Sequence, residues 1–271
     1  MEISKVLAEK ADKNKNNKWI LVAYTLLGYQ LMNNGQFIEA ATAVKYALDH
    51  FDPLVHNTLA YEFGIDQEII AKGLLANIYT FLGNHAEIAL LENNLLEKAH
   101  QLNHLHSTAS TYLGLSCTYF YLGNKDKVKE YSKALMDLNH HHNSHIFGNY
   151  GLILNAWAWK DLESAQKAMI AEETMGILSM RSFWYTIIAC IELESGMYID
   201  AHKRLHLALS LIGQSDGPLY ASEIHRLLAN IHLESSETDL VKNHFQNCQS
   251  IATQQGAKWI LEKAESLAMT F

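Results

Sequence analysis

Apolar residues recur along this chain at spacings of three and four, the period that gathers side chains on one face of an α-helix. In 85–102, Ile88, Leu91, Leu95, Ala99 and Leu102 form such a stripe, while Glu87, Asn94, Lys98 and Gln101 fill polar positions. The pattern predicts one helix ahead of the Asn-rich turn near residue 14. Further helices are expected over 18–33, 36–50, 66–82, 85–102, 105–122, 125–139, 145–158, 161–175, 179–195, 198–213, 218–235, 238–255 and 258–270. Strand content near zero follows, so the expected fold class is all-α. The stretch between 50 and 66 is the least regular, with Pro53 and Gly64 punctuating a short helix.

The helices come in pairs that repeat. In LLGYQLMNNGQFIEAATAVKYAL, the small residues Gly28, Ala40 and Ala47 allow two antiparallel helices to approach, and Leu27, Leu31, Phe37 and Val44 fill the remaining space. Asn34 and Gly35 end the first helix with a residue that accepts positive φ. The same grammar returns with turns at Gly83, Gly123, Lys160, Gly196 and Ser236, at intervals of about 36 to 48 residues. These residues resemble the tetratricopeptide repeat, whose unit is about 34 residues. The resemblance implies a tetratricopeptide-like, right-handed superhelical solenoid of about six or seven helix pairs, forming a single domain over 1–271.

Composition narrows the function. Hydrophobic residues make up 49% and charged residues 18%, enough apolar surface for a continuous core and too little charge for disorder. A net charge of -8 without any basic run argues against direct nucleic-acid binding. Cys117, Cys190 and Cys248 are odd in number, widely spaced and set in apolar helical stretches, as buried free thiols are, which fits a reducing cytoplasm. The N-terminal stretch is polar and no apolar run approaches 18 residues, so neither a signal peptide nor a membrane span is expected.

Two phrases carry a more specific resemblance. His56, Leu59, Ala60, Phe63, Gly64 and Asp66 match an H-x-x-L-A-x-x-Y/F-G-x-D phrase. Glu223, Ile224, His225, Arg226 and Leu227, with Gln255, Gly256, Ala257, Glu262, Ala264, Ser266, Leu267 and Ala268, match a closing repeat. Both are similar to the helical-repeat C-terminal region of bacterial signal-transducing ATPases, which are fused to nucleotide cyclase, kinase or winged-helix DNA-binding modules. The resemblance implies a sensing or scaffolding role in signal transduction or transcriptional regulation, either as a regulatory region of a larger protein or as a stand-alone descendant. No GxxxxGK[ST] phosphate loop occurs in the chain.

Candidate chemistry is sparse. Of fifteen histidines, His140, His141, His142 and His145 are the tightest group, but neighbours on a turn rarely point at one ion, and a solvated turn is expected. His100, His104 and His106, and the i, i+4 pair His202 and His206, read as surface residues without an accompanying acid. No nucleophile elbow is present, so no catalytic residue, metal or cofactor is assigned. His225 and Arg226 are expected to anchor the last repeat to neighbouring helices.

In tetratricopeptide folds the first helix of each pair lines a concave groove. Mapping those repeat positions gives Tyr29, Asn33, Asn77, Phe81, Cys117, Tyr121, Tyr150, Trp157 and Phe183, an aromatic and amide-rich set suited to a protein, peptide or small-molecule effector. The basic positions that clamp a C-terminal carboxylate in chaperone-binding tetratricopeptide domains are not basic here in the first three repeats. The expected function is non-catalytic binding. A metal-dependent hydrolase using the histidine clusters and a self-assembling scaffold, hence a homo-oligomer, are the alternatives.

Overall fold

The structure is a computed structural model describing residues 2–145, 147–176 and 179–268. Its elements are α1 (Glu2–Lys13), α2 (Asn17–Asn33), α3 (Phe37–Asp49), α4 (Pro53–His56), α5 (Leu59–Phe63), α6 (Gln67–Leu82), α7 (His85–Leu102), α8 (Leu105–Tyr121) and α9 (Lys125–His141). There follow α10 (Gly148–Trp159), α11 (Leu162–Thr174), α12 (Arg181–Glu194), α13 (Tyr198–Leu211), a 3-10 turn (Pro218–Tyr220), α14 (Ala221–Glu234), α15 (Thr238–Gln255) and α16 (Lys258–Ala268). Every helix expected from the apolar period is present, and the described residues contain no strand. The end of the helix expected over 258–270 lies outside the described residues. Two short helices, α4 and α5, replace the one expected between 50 and 66 because Asn57 and Thr58 separate them.

The turns explain why the pairing is regular. All six positions read as turns have positive φ: Gly35, Gly83, Gly123 and Gly196 between 72° and 76°, Lys160 at 60° and Ser236 at 58°. At each one the turn residue donates its N–H to the carbonyl three residues back, and its successor donates to the carbonyl five back, as in Gly35 to Met32 and Gln36 to Leu31. Lys160 and Ser236 repeat this through Trp157 and Ala156, and through Leu233 and His232. The double bond satisfies carbonyls that a helix end leaves open and sends the chain back along itself.

The chain divides by packing into two compact units, Met1–Gly148 and Asn149–Phe271. In the first unit α2 packs on α3, α3 and α2 on α6, α6 on α7 and α8, and α8 on α7 and α9. Its core includes Leu21, Phe37, Val44, Ile69, Ile78, Ile88, Leu95, Leu115 and Leu135, all almost fully buried. In the second unit α12, α13, α14, α15 and α16 pack each on the next, and α14 also touches α16. This stacking in chain order is that of a helical-repeat array. None of the helices is long and apolar enough, among the described residues, to cross a membrane.

The phrase beginning at His56 builds the entry to α6. Asp52 caps α4 by accepting from the Leu54 N–H, and His56, buried, accepts the Asp52 N–H on Nδ1 at 2.9 Å. Gly64 turns the chain at φ 79°, and Asp66 caps α6 through the Ile69 N–H at 2.9 Å. The Asp66 N–H in turn donates to Ser107 Oγ on α8. Leu59 and Ala60 enter the core.

Candidate functional site

In the first unit the opening helices of three successive pairs, α2, α6 and α8, bring five of the six expected groove residues there together. Tyr121 sits at the centre. Its ring meets Phe81 at 4.9 Å between centroids, and Phe81 stacks in parallel on Phe37 at 4.4 Å. Burial, followed by the neighbouring Cys117 and Tyr29, pushes the Tyr121 hydroxyl well above the usual tyrosine range. Burial also pushes the Cys117 thiol up to about 12. Both groups therefore stay neutral near pH 7, and Cys117 is no thiolate nucleophile. Asn77 donates from Nδ2 to the Gly73 carbonyl at 3.0 Å, and its Oδ1 lies 3.4 Å from Thr118 Oγ1. Asn33 is half-buried in the last turn of α2.

Burial sorts these residues into floor and surface. Phe81 and Tyr121 are 1% and 4% exposed and belong to the core, whereas Tyr29, Asn33, Asn77 and Cys117 are half-buried. The strip is thus a set of amide, phenol and thiol groups over an aromatic floor, able to make contacts and neutral hydrogen bonds.

In the second unit the mapping is less faithful. Phe183 is fully buried between Trp184 and Tyr220, with centroids at 4.6 and 4.5 Å, and Trp157 is also a core residue. The reason is that α12 is enclosed nearly all round: every residue from Ser182 to Ala189 is buried, so the face assigned to the groove is packed by protein. Tyr150 is half-buried and stacks on Trp184 at 4.3 Å. Phe81, Tyr121, Trp157 and Phe183 are accordingly corrected from groove-lining to core side chains.

The second unit offers instead a charged group that the groove mapping did not include. Glu223 and Arg226 form a forked ion pair along α14, with both contacts at 2.7 Å and both side chains largely buried. Burial alone would raise the Glu223 carboxyl, but the Arg226 guanidinium outweighs it and leaves the group below the ordinary carboxylate range. Lys263 of α16 feels both charges, and burial dominates in lowering its pKa. Its Nζ lies 3.6 Å over the Trp259 ring. The Cys190 thiol, raised to about 12 chiefly by burial, feels the same charges. The spacing of Glu223 and Arg226 at i, i+3 was legible in the sequence; the approach of Lys263 and Cys190 was not. Arg226 bonds within its own helix rather than to a neighbouring one, while His225 does reach across to His244 on α15.

The histidines divide likewise. His140, His141, His142 and His145 are exposed, but His140 and His141 belong to the last turn of α9 rather than to the turn where they were expected, because the helix runs on to residue 141. His106 reaches the Gly64 carbonyl at the end of α5, while His104 bonds Ser107 Oγ within the first turn of α8. Among the described residues no three His, Cys, Asp or Glu side chains are placed to hold a metal ion. The three cysteines are free thiols. A shallow open depression on α15 and α16, lined by Gln246, Gln249, Ser250, Thr253, Gln254 and Leu261, lies apart from these groups in the sequence. No known family model matches this chain, and no curated protein matches it.

Proposed function

We propose that this chain is a non-catalytic interaction module of the tetratricopeptide type, which holds a peptide or small-molecule effector on the strip formed by α2, α6 and α8. The reading includes right-handed superhelical stacking within each unit and about six or seven helix pairs along the chain. The observation that carries it is that Tyr29 of α2 and Cys117 of α8 both act on the buried Tyr121, while Asn77 of α6 reaches Thr118, the neighbour of Cys117, so that three successive opening helices meet there. Aromatic and amide groups on a rigid floor give contact area and orientation at little entropic cost. The raised pKa values of Cys117 and Tyr121 favour binding over acid–base or nucleophilic chemistry. The resemblance of the His56 and Glu223 phrases to signalling ATPases supports a role in bacterial signal transduction or transcriptional regulation, and the three free thiols suit a reducing cytoplasm.

A photo-crosslinking residue at position 77, compared with one at position 140, tests the assignment. Capture of a discrete partner or effector from position 77, abolished by Tyr29→Ala in protein of unchanged stability, supports it. Equal capture from position 140 overturns it, and capture of a second copy of the chain at position 77 establishes self-assembly in its place.

A further inference from the structure

The pair His202 and His206, four residues apart on α13, does not stand alone. His206 Nε2 lies 3.2 Å from His202 Nε2. On α14 and α15, His225 Nδ1 lies 2.9 Å from His244 Nδ1. His232 of α14 connects the two pairs: its ring lies parallel to that of His244 at 5.4 Å and edge-on to that of His202 at 5.3 Å. His206 and His244 approach to 6.3 Å between centroids. Three consecutive helices of the second unit thus meet through five imidazoles.

We propose that His202, His206, His225, His232 and His244 form an acid-operated latch that joins α13, α14 and α15 while the imidazoles are neutral and loosens them as protons accumulate. Two neutral imidazoles facing nitrogen to nitrogen share one N–H, one donating and the other accepting. Each such pair takes up one proton at most before two N–H groups point at each other. Further charge then meets like charge from the neighbouring pair at ring-contact distance.

The groups acting on His244 are His225 and His232 from α14 and His206 and His202 from α13. Burial and these four push it down to about 4. His202 and His225 are lowered too, each by burial first and then by facing histidines. The carboxylate facing the cluster is Glu237, which accepts from His232 Nδ1 at 2.7 Å and acts on His202. Among the described residues no second carboxylate acts on His202, His225 or His244, so charge on the two pairs is not balanced. Because these pKa values lie below the ordinary histidine value, the cluster stabilises the fold fully above about pH 6.5 and loses that contribution as pH falls toward 4. α14 also carries Glu223 and Arg226, so loosening it acts on the largely buried ion pair of the same unit.

Histidine Cε1–H resonances followed by NMR from pH 8 to 4.5, with EDTA present, test the latch on the unmodified protein. His244 is expected to titrate at least one unit below the ordinary histidine value of about 6.5, with the exposed His140, His141 and His142 as reference resonances. Hydrogen exchange at pH 7.5 and 5.0, corrected for intrinsic rates, should show protection in α14 and α15 falling about ten-fold or more while α8 and α9 change little. His244→Gln, or His225→Gln if the first variant fails to fold, should cut that loss to about three-fold or less, and His140→Gln should leave it unchanged. Titration of His244 together with the controls overturns the proposal. So does a loss of protection that persists in the Gln variants or spreads equally through the first unit.

Discussion

At Gly28 an added β-carbon would lie 2.3 Å from Val44 Cγ2 and 3.3 Å from the Ala40 carbonyl oxygen, so α2 and α3 touch there with no room for a side chain. Gly28→Ala is expected to destabilise the protein by about 1–3 kcal/mol, as overpacking does, and Val44→Ala in the same chain should restore part of the loss. Urea titrations of the three variants check this, and a Gly28→Ala midpoint equal to that of the wild type would show that the contact is not tight. Lys160 and Ser236 present the opposite case. Each occupies a left-handed position where its equivalents in four other turns are glycine. Lys160→Gly and Ser236→Gly are expected to stabilise by up to about 1 kcal/mol, because a β-carbon is strained at that conformation. The exposed ion pair from Lys160 to Glu194, at 3.2 Å, contributes too little to reverse the sign.

Pairs of helices are fastened by buried polar staples as well as by apolar contact. Glu192 of α12 is fully buried, and the Arg204 guanidinium of α13 grips it with Nε and Nη2, the closest contact at 2.6 Å. Arg204→Met strands that carboxylate and is expected to cost about 3–5 kcal/mol, whereas Glu192→Leu with Arg204→Met should cost far less, because the stranded charge is then gone. Thermal melts of the single and double variants separate the two outcomes. In the first unit Glu92 of α7 accepts from the hydroxyls of Tyr119 and Tyr131 and from Lys127, which joins α7, α8 and α9. Burial opposes its charge, but these donors prevail and hold its carboxyl below the ordinary range. Its contribution is therefore present above about pH 4.5 and lost as pH falls through the lowered value.

For the whole chain, far-ultraviolet circular dichroism should show a helical spectrum without a β component, since 82% of the described residues are helical. Two compact units, each with its own buried residues, predict a calorimetric enthalpy larger than the van't Hoff value, since independent units break the two-state relation. A single transition with equal enthalpies would mean that the units unfold as one. On acidification, stability should fall in two windows, the first between about pH 6.5 and 4 as the lowered imidazoles of the second unit charge. The second opens below about pH 4.5, when Glu92 and Glu223 take up protons. Asp66 runs the other way: burial raises its pKa, so its ionisation costs stability as pH rises.

Helices and all six turns were legible in the sequence because each depends on neighbours within a few residues, and the pairing of adjacent helices followed from the turns between them. An apolar period of three and four selects a face, and a turn geometry common to four glycines also accommodated Lys160 and Ser236. Exposure was legible only in part. Tyr29, Asn77 and Cys117 lie half-buried on the strip expected from repeat positions, but Phe81, Tyr121, Trp157 and Phe183 are buried because neighbouring helices close over them. What tertiary structure alone decided is the meeting of side chains remote in sequence: Lys263 with Glu223 and Arg226, and His244 with His202, His206, His225 and His232. Such meetings depend on how far each helix is rotated and shifted against the next. That rotation is set by the summed packing of whole faces, and no local spacing encodes it.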